Sequence, residues 1–304
     1  MVGVEEVPRP EPGDDQLLIR VVASSVNRTD CGIRAAAPPV VRLLYGFRGP
    51  RHPILGCEYA GVVEEVGSAV QGYAVGDRVF GFDDSRMGGH AQYVVKPAKG
   101  MLAHVPPELT LAEAGVATEG AHYAATTLRA TDVGPGSQVL VYGASGAIGS
   151  AAVQLAAHLG AEVTAVCGSA TVDRVSALGP VQVIDYQQED FTTIDARFDL
   201  VFDSVGKTTF RACRPLLRPT GFFVATEFGP RFQNPLLILP TRVLPGPRVK
   251  FPIPARSHEA MRFIVDALVA GSYRPMIDRR YPLDEVSEAY RYVETGEKVG
   301  NVGV

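Results

Sequence analysis

A chain of 304 residues has room for two domains of ordinary size, and 46% hydrophobic with 20% charged residues marks it as globular rather than disordered. The formal net charge of −4 offers no broad basic field to nucleic acid or to an anionic membrane. No apolar run reaches the roughly 18 residues of a membrane span, and the acidic start Met1–Glu6 is unlike a signal peptide. The four cysteines, Cys31, Cys57, Cys167 and Cys213, form no C-x-x-C pair, which fits reduced thiols in a cytoplasmic enzyme.

Residues 1–110 read as all-β, with Gly and Pro every few positions. Strands are predicted over Leu17–Ala23, Cys57–Val66, Val79–Phe82 and His90–Lys96, a spacing that suggests a small barrel. Pro38, Pro39, Pro50 and Pro53 mark a long irregular connection suited to walling a substrate pocket. Leu111–Ala130 has helical texture, with Thr110 as N-cap and Glu113 completing a capping box.

Strands and helices then alternate, as in a parallel, doubly wound sheet. Gln138–Tyr142 is apolar enough for a strand buried on both faces, Ala147–Leu159 is a helix closed by Gly160, and Ala161–Cys167 is strand again. Helix is predicted at Thr171–Leu178 and Thr208–Leu217. Strands are predicted at Val181–Tyr186, Phe198–Ser204, Gly221–Thr226 and, as an edge, Arg248–Phe251. His258–Ala270 and Glu285–Glu294 are amphipathic helices, and the tail Val299–Val304 is too short to be a domain by itself, so it is expected to rejoin the barrel.

The turn between the first two of these parallel strands carries the chemistry. Against G-x-G-x-x-G, the chain offers Ala144, Ser145, Gly146, Ala147, Ile148 and Gly149, with alanine in place of the first glycine. A tight βα turn with no ligand is the bland alternative. A strand on either side and a well-formed helix between them favour a dinucleotide whose pyrophosphate meets backbone amides at the helix N-terminus. An NAD site places Asp or Glu about 20 residues past the turn. Here no acid occurs until Asp173, whereas Ser169 can donate to a 2′-phosphate and Arg174 is either its counter-charge or a solvated helix residue. The expected cofactor is NADPH.

Further motifs join these: Pro53–Gly61, Val75–Val79, Gly143–Gly149, Val183–Tyr186, Phe198–Gly206 and Gly300–Val302. In order and across essentially the whole chain, they resemble the medium-chain dehydrogenase/reductase superfamily, in its zinc-free quinone oxidoreductase branch. The resemblance implies an α/β architecture: a GroES-like β-barrel domain over residues 1–122 and 253–304, and a Rossmann domain over 123–252. It implies hydride transfer from NADPH to a quinone or enone, with a small-molecule substrate and neither nucleic acid nor membrane as partner. By the same resemblance Asn27 and Asp30 line the pocket, Asn27 as donor to a substrate oxygen. Asp30 either orients a neighbour or holds an Asx turn. Tyr45 is either a pocket tyrosine or a packing residue, and Tyr123 lies on the helix between the domains beside His122, itself more in keeping with a structural histidine. Tyr186, Val205, Phe228, Gly229 and Asn301 complete the implied cofactor set.

Catalytic zinc needs three protein donors and an open position. Where the zinc-dependent branch has its first cysteine ligand this chain has Asn27, and where it has histidine this chain has Cys57. Glu58 remains, and residues 85–100 contain no cysteine for a structural site. No metal is expected. Two departures stand out. The family's first strand, of the sort M-K-A-x-x-x, has no counterpart before Val4, so an edge of the barrel is expected to lack its neighbour or the given chain to start late. Pro235, Pro240, Pro245 and Pro247 crowd the sheet edge through which relatives form homodimers, and proline cannot donate to such a ladder. The competing functions are an enoyl or alkenal double-bond reductase of a biosynthetic pathway, a zinc-type alcohol dehydrogenase, and a nucleotide-binding protein without turnover.

Overall fold

The computed structural model describes residues 2–35, 52–230, 233–252 and 258–304. In chain order the first elements are β1 (Gln16–Val26), α1 (Arg28–Ala35), β2 (Glu58–Val66), β3 (Arg78–Phe82), β4 (Tyr93–Pro97), β5 (Leu102–His104), α2 (Leu111–Ala114) and α3 (Glu119–Ala130). Next come β6 (Gln138–Tyr142), α4 (Ala147–His158), β7 (Glu162–Cys167), α5 (Val172–Ser176), β8 (Gln182–Asp185) and β9 (Phe198–Asp203). Last are α6 (Phe210–Cys213), β10 (Leu217–Ala225), α7 (Gln233–Val243), β11 (Arg248–Lys250), α8 (His258–Val269), β12 (Ile277–Arg280), α9 (Val286–Thr295) and β13 (Asn301–Gly303). The chain divides into two units: Met1–Glu119 with Arg256–Val269 and Pro275–Val304, and Gly120–Ala255 with Ala270–Arg274.

The first unit is organised by β1. It pairs antiparallel with β2 from Leu17 to Ser24 and with β4 from Gln16 to Arg20, and its last residues pair with the end of the chain, Ser25 opposite Gly303 and Val26 opposite Val302. The strand order is β12-β13-β1-β2-β3-β5, with β4 on the other side of β1. Alternate residues supply the interior: Leu17 and Ile19 of β1 meet Tyr59, Val63, Val79, Val94 and Leu102.

The second unit is a six-stranded parallel sheet in the order β11-β10-β9-β6-β7-β8. Its central strands are apolar on both faces, as helices on either side require. Leu140, Val166, Ile184, Val201 and Phe223 form one core cluster. Among the described residues no helix is long and apolar enough to cross a membrane.

One expectation changes. The Leu111–Ala130 helix is interrupted at 115–118, leaving α2 with its capping box and α3 beginning at Glu119. The break is tertiary in origin, because the buried Glu58 carboxylate accepts the N–H groups of both Thr118 and Glu119. The proline-rich segment before the edge strand is largely helical: α7 carries Pro235 in its first turn, where no N–H is needed, and Pro240 inside it. The Thr241 hydroxyl donates to Leu237 O at 2.6 Å and accepts from the Val249 N–H at 3.0 Å, which ties this helix to β11.

Candidate active site

In the first unit the polar residues converge just past the end of β1. Asn27 stands between β1 and α1, and its backbone N–H donates to Asp30 Oδ2 at 2.9 Å. The other oxygen, Asp30 Oδ1, accepts the Cys57 N–H at 3.1 Å. Asp30 is wholly buried, so it holds the loop and fastens it to the strand beginning at Glu58. The side-chain nitrogen of Asn27 lies 3.1 Å from Ser25 Oγ, 3.2 Å from Glu119 Oε2, 3.2 Å from Asn301 Oδ1 and 3.4 Å from Glu58 Oε1. Asn27 Oδ1 is enclosed and has no hydrogen-bond partner among the described residues. The donor role expected of Asn27 is thus spent inward, and its uncommitted atom is an acceptor.

Glu58, from the Pro53–Gly61 motif, is fully buried. It accepts from the Ser25 hydroxyl at 2.5 Å, the Thr118 N–H and hydroxyl at 2.8 Å each, and the Glu119 N–H at 3.0 Å. Burial pushes its carboxyl up, and these hydrogen bonds pull it back. Burial raises Cys57 well above an ordinary thiol, reinforced by the neighbouring Asp30 charge. Among the described residues no three His, Cys, Asp or Glu side chains are grouped to hold a metal.

Asn301 was expected to reach the cofactor. It is 1% exposed, and its amide is used within the first unit, donating to Met276 O at 3.1 Å and accepting from Asn27. Tyr45 lies outside the described residues. Tyr123 is half-buried on α3 in the second unit, edge-on to His122 with ring centroids 6.0 Å apart.

The second unit holds the glycine turn. Gly143 takes the left-handed conformation the turn demands, at φ 84°, and the N–H groups of Gly143 and Ala144 both donate to Val166 O at 3.0 Å. This corrects the reading of Ala144 as a cofactor residue: it is completely buried with its amide committed to β7. It also explains why alanine is tolerated there, since the positive φ falls one residue earlier. Gly146 is the N-cap of α4 and, having no side chain, makes no cap hydrogen bond to the first-turn amides. A Cβ on Gly146 would meet only Gly143 O, at 3.5 Å, whereas one on Gly149 would lie 2.1 Å from Gly143 O. The open side at Gly146 and the close packing at Gly149 are the two requirements of a pyrophosphate-binding turn.

At the ends of β7 and β8, Ser169 Oγ donates to Asp185 Oδ2 at 2.5 Å and the Ser169 N–H to Gln187 Oε1 at 2.9 Å. Arg174 is exposed on α5. Tyr186, 48% exposed, stands edge-on to Tyr142 beside an open cavity of about 360 Å³ also lined by Gln187, Asp190 and Phe191. Val205 is 38% exposed at the end of β9. Phe228 stacks on Phe251 with centroids 5.3 Å apart, and Gly229 adopts φ 70° against Asn234.

A family model described as an alcohol dehydrogenase GroES-like domain matches residues 13–107, and one described as a zinc-binding dehydrogenase matches residues 178–302. The chain is also 30% identical to 2-methylene-furan-3-one reductase of Solanum lycopersicum over 96% of its own length and 72% of that protein's. The chain belongs to the medium-chain dehydrogenase/reductase superfamily. Another member, quinone-oxidoreductase QR1 of Triphysaria versicolor, is 29% identical over 98% of this chain and 92% of its own. The solved structure of the quinone oxidoreductase from Coxiella burnetii superposes with a TM-score of 0.85 at 25% identity, covering 98% and 92% of the two chains. Members of this superfamily use a nicotinamide cofactor.

Sequence reasoning missed Glu119 and Lys298. Glu119 is 2% exposed although it opens a helix, where an acid is ordinarily solvated. Burial holds Lys298 down to about 8, opposed by the charges of Glu119 and Asp278, and its Nζ donates to Gly300 O at 2.6 Å.

Proposed function

We propose that this chain is an NADPH-dependent reductase that delivers hydride to a quinone or an α,β-unsaturated carbonyl without using a metal. The observation that carries this reading is the uncapped N-terminus of α4, whose glycine leaves the turn open to a pyrophosphate. The similar proteins named above are reductases of such substrates by their names. A bound nicotinamide supplies the hydride; the chain's own residues bind and orient. Ser145 to Ile148 surround the pyrophosphate, and Val205, Phe228 and Gly229 flank the nicotinamide ribose. Tyr186 and Arg174 accompany the 2′-phosphate, which Ser169 serves by exchanging its hydrogen bond to Asp185. Asn27 belongs to the substrate side.

A homodimer is part of the same reading. Leu236, Leu239 and Val243 of α7 are 68%, 70% and 77% exposed on the helix tied to the edge strand β11, which suits an apolar contact between copies.

The test is oxidation of NADPH and NADH in the presence of a quinone, a 2-alkenal and a saturated aldehyde, the last with and without added zinc. Turnover of the quinone or alkenal with NADPH preferred is expected. Turnover of the aldehyde alone, and only with zinc, would assign the chain to alcohol oxidation. Cofactor binding with no turnover would make it a binding protein.

A further inference from the structure

The side-chain nitrogen of Asn27 has two protons and four acceptors within 3.4 Å, two of them carboxylates. Glu58 and Glu119 are both buried against this one nitrogen, and the wholly buried Asp30 adds a third carboxyl group nearby. Three negative charges in so dry a cluster would repel strongly. The structure shows which group the surroundings stabilise as an anion. Glu58 receives four hydrogen bonds besides that from Asn27, among them the N–H groups of Thr118 and Glu119, so the positive end of α3 points at Glu58. Glu119 receives the side chains of Thr29 and Asn27, and among the described residues no backbone N–H is recorded donating to its carboxylate.

We propose that Glu119 keeps its proton in the working protein and, as a neutral acid, is the positioning residue that holds Asn27 in the site. The groups facing it are consistent with this. Burial pushes its carboxyl well up, and Asp30 and Glu58 push it further, while Thr29 and Asn27 draw it down by less. Cys57 also faces it and is held as a neutral thiol by its own burial. Lys298 is the cation nearby, and it becomes neutral above about 8. The neutral acid is present below the pKa of Glu119. As pH rises through that value a second charge appears beside Glu58, the cluster opens, and Asn27 loses its place.

The inference rests on the proposed reductase activity for its kinetic readout, and a spectroscopic readout is independent of it. Glu119→Ala is expected to lower kcat/KM at least tenfold, and Glu119→Gln, which copies the neutral acid in shape and charge, to restore it to within about threefold. The wild-type profile of kcat/KM should fall about tenfold per pH unit on its alkaline side, and this limb should vanish in Glu119→Gln. In Lys298→Met the limb should persist. The infrared difference between neutral and alkaline pH should contain the carbonyl band of a protonated carboxylic acid, absent from Glu119→Gln. A variant Gln as damaged as Ala, a limb removed by Lys298→Met and kept by Glu119→Gln, or no such band would each overturn the proposal. If no quinone or enone is turned over, the proposed function fails, and the infrared band still decides the state of Glu119.

Discussion

The two glycines of the cofactor turn separate stability from binding, and alanine substitution at each makes the separation measurable. In Gly149→Ala the new Cβ would stand 2.1 Å from Gly143 O, 2.8 Å from Gly143 C and 2.8 Å from Ser204 Oγ, where ordinary contact begins at 3.4 Å. Two of these neighbours are backbone, so α4 or the end of β6 must move by more than an ångström. Overpacking of this kind costs about 1–3 kcal/mol, and backbone on the receiving side puts it at the upper end. At about 2–4 °C per kcal/mol for a domain of this size, the second unit should melt roughly 6–12 °C lower. In Gly146→Ala the new Cβ meets only one atom, at 3.5 Å, and the backbone sits at φ −81°, ψ 172°, which alanine adopts freely. That variant should melt within about 1 °C of the wild type while binding NADPH at least tenfold more weakly, a loss of about 1.4 kcal/mol or more, because the methyl group occupies the approach of the pyrophosphate. Calorimetry with and without cofactor, alongside fluorescence titration, reads both quantities. Unaltered cofactor affinity in Gly146→Ala, or unaltered melting in Gly149→Ala, would refute the assignment of roles.

Three other outcomes are expected. Lys96, 2% exposed, donates to Asp83 Oδ2 at 3.0 Å and lies over the Tyr59 ring, so Asp83→Asn should destabilise the first unit by about 3–5 kcal/mol at neutral pH, measured by denaturant unfolding. Burial pushes Asp83 up, but the Lys96 charge and hydrogen bonds outweigh it and hold the carboxyl below its ordinary value of 3.8. The stability this contributes is complete above that value and is lost as pH falls through the lower, folded one, so the variant's melting temperature should converge with the wild type's only in acid. Asp185→Asn should shift the ratio of NADPH to NADH use toward NADPH several-fold, because the carboxylate held by Ser169 repels a 2′-phosphate; an unchanged ratio would show that the ribose lies elsewhere. All four cysteines are buried, with Cys31 pushed up to about 12, first by burial and then by Asp30, so a thiol reagent should find none in the native protein and four in denaturant.

Much of the architecture was readable because it is periodic and local. The central strands of the parallel sheet are continuous apolar runs, and the capping box at Thr110 and Glu113 is complete in both sequence and structure. The superfamily followed from ordered motifs spread along the whole chain. Misreadings arose where a distant group overrode local preference. The helix predicted through Leu111–Ala130 breaks because Glu58, some 60 positions away, takes its amides. Alanine at 144 departs from the fingerprint, and the turn tolerates it because the positive φ belongs to Gly143.

The sequence by itself determined the strand–turn–helix unit for a dinucleotide and the replacement of the first zinc donor by Asn27, since both depend on residue type and spacing along one stretch. Only the tertiary structure decided that Asn27 faces inward with its nitrogen, that Asn301 supports it from the far end of the chain, and that Ser169 is held by Asp185. Those outcomes depend on which polar atoms are brought together away from water, and residues 27, 58, 119 and 301 meet only when β1, β2, α3 and β13 are assembled.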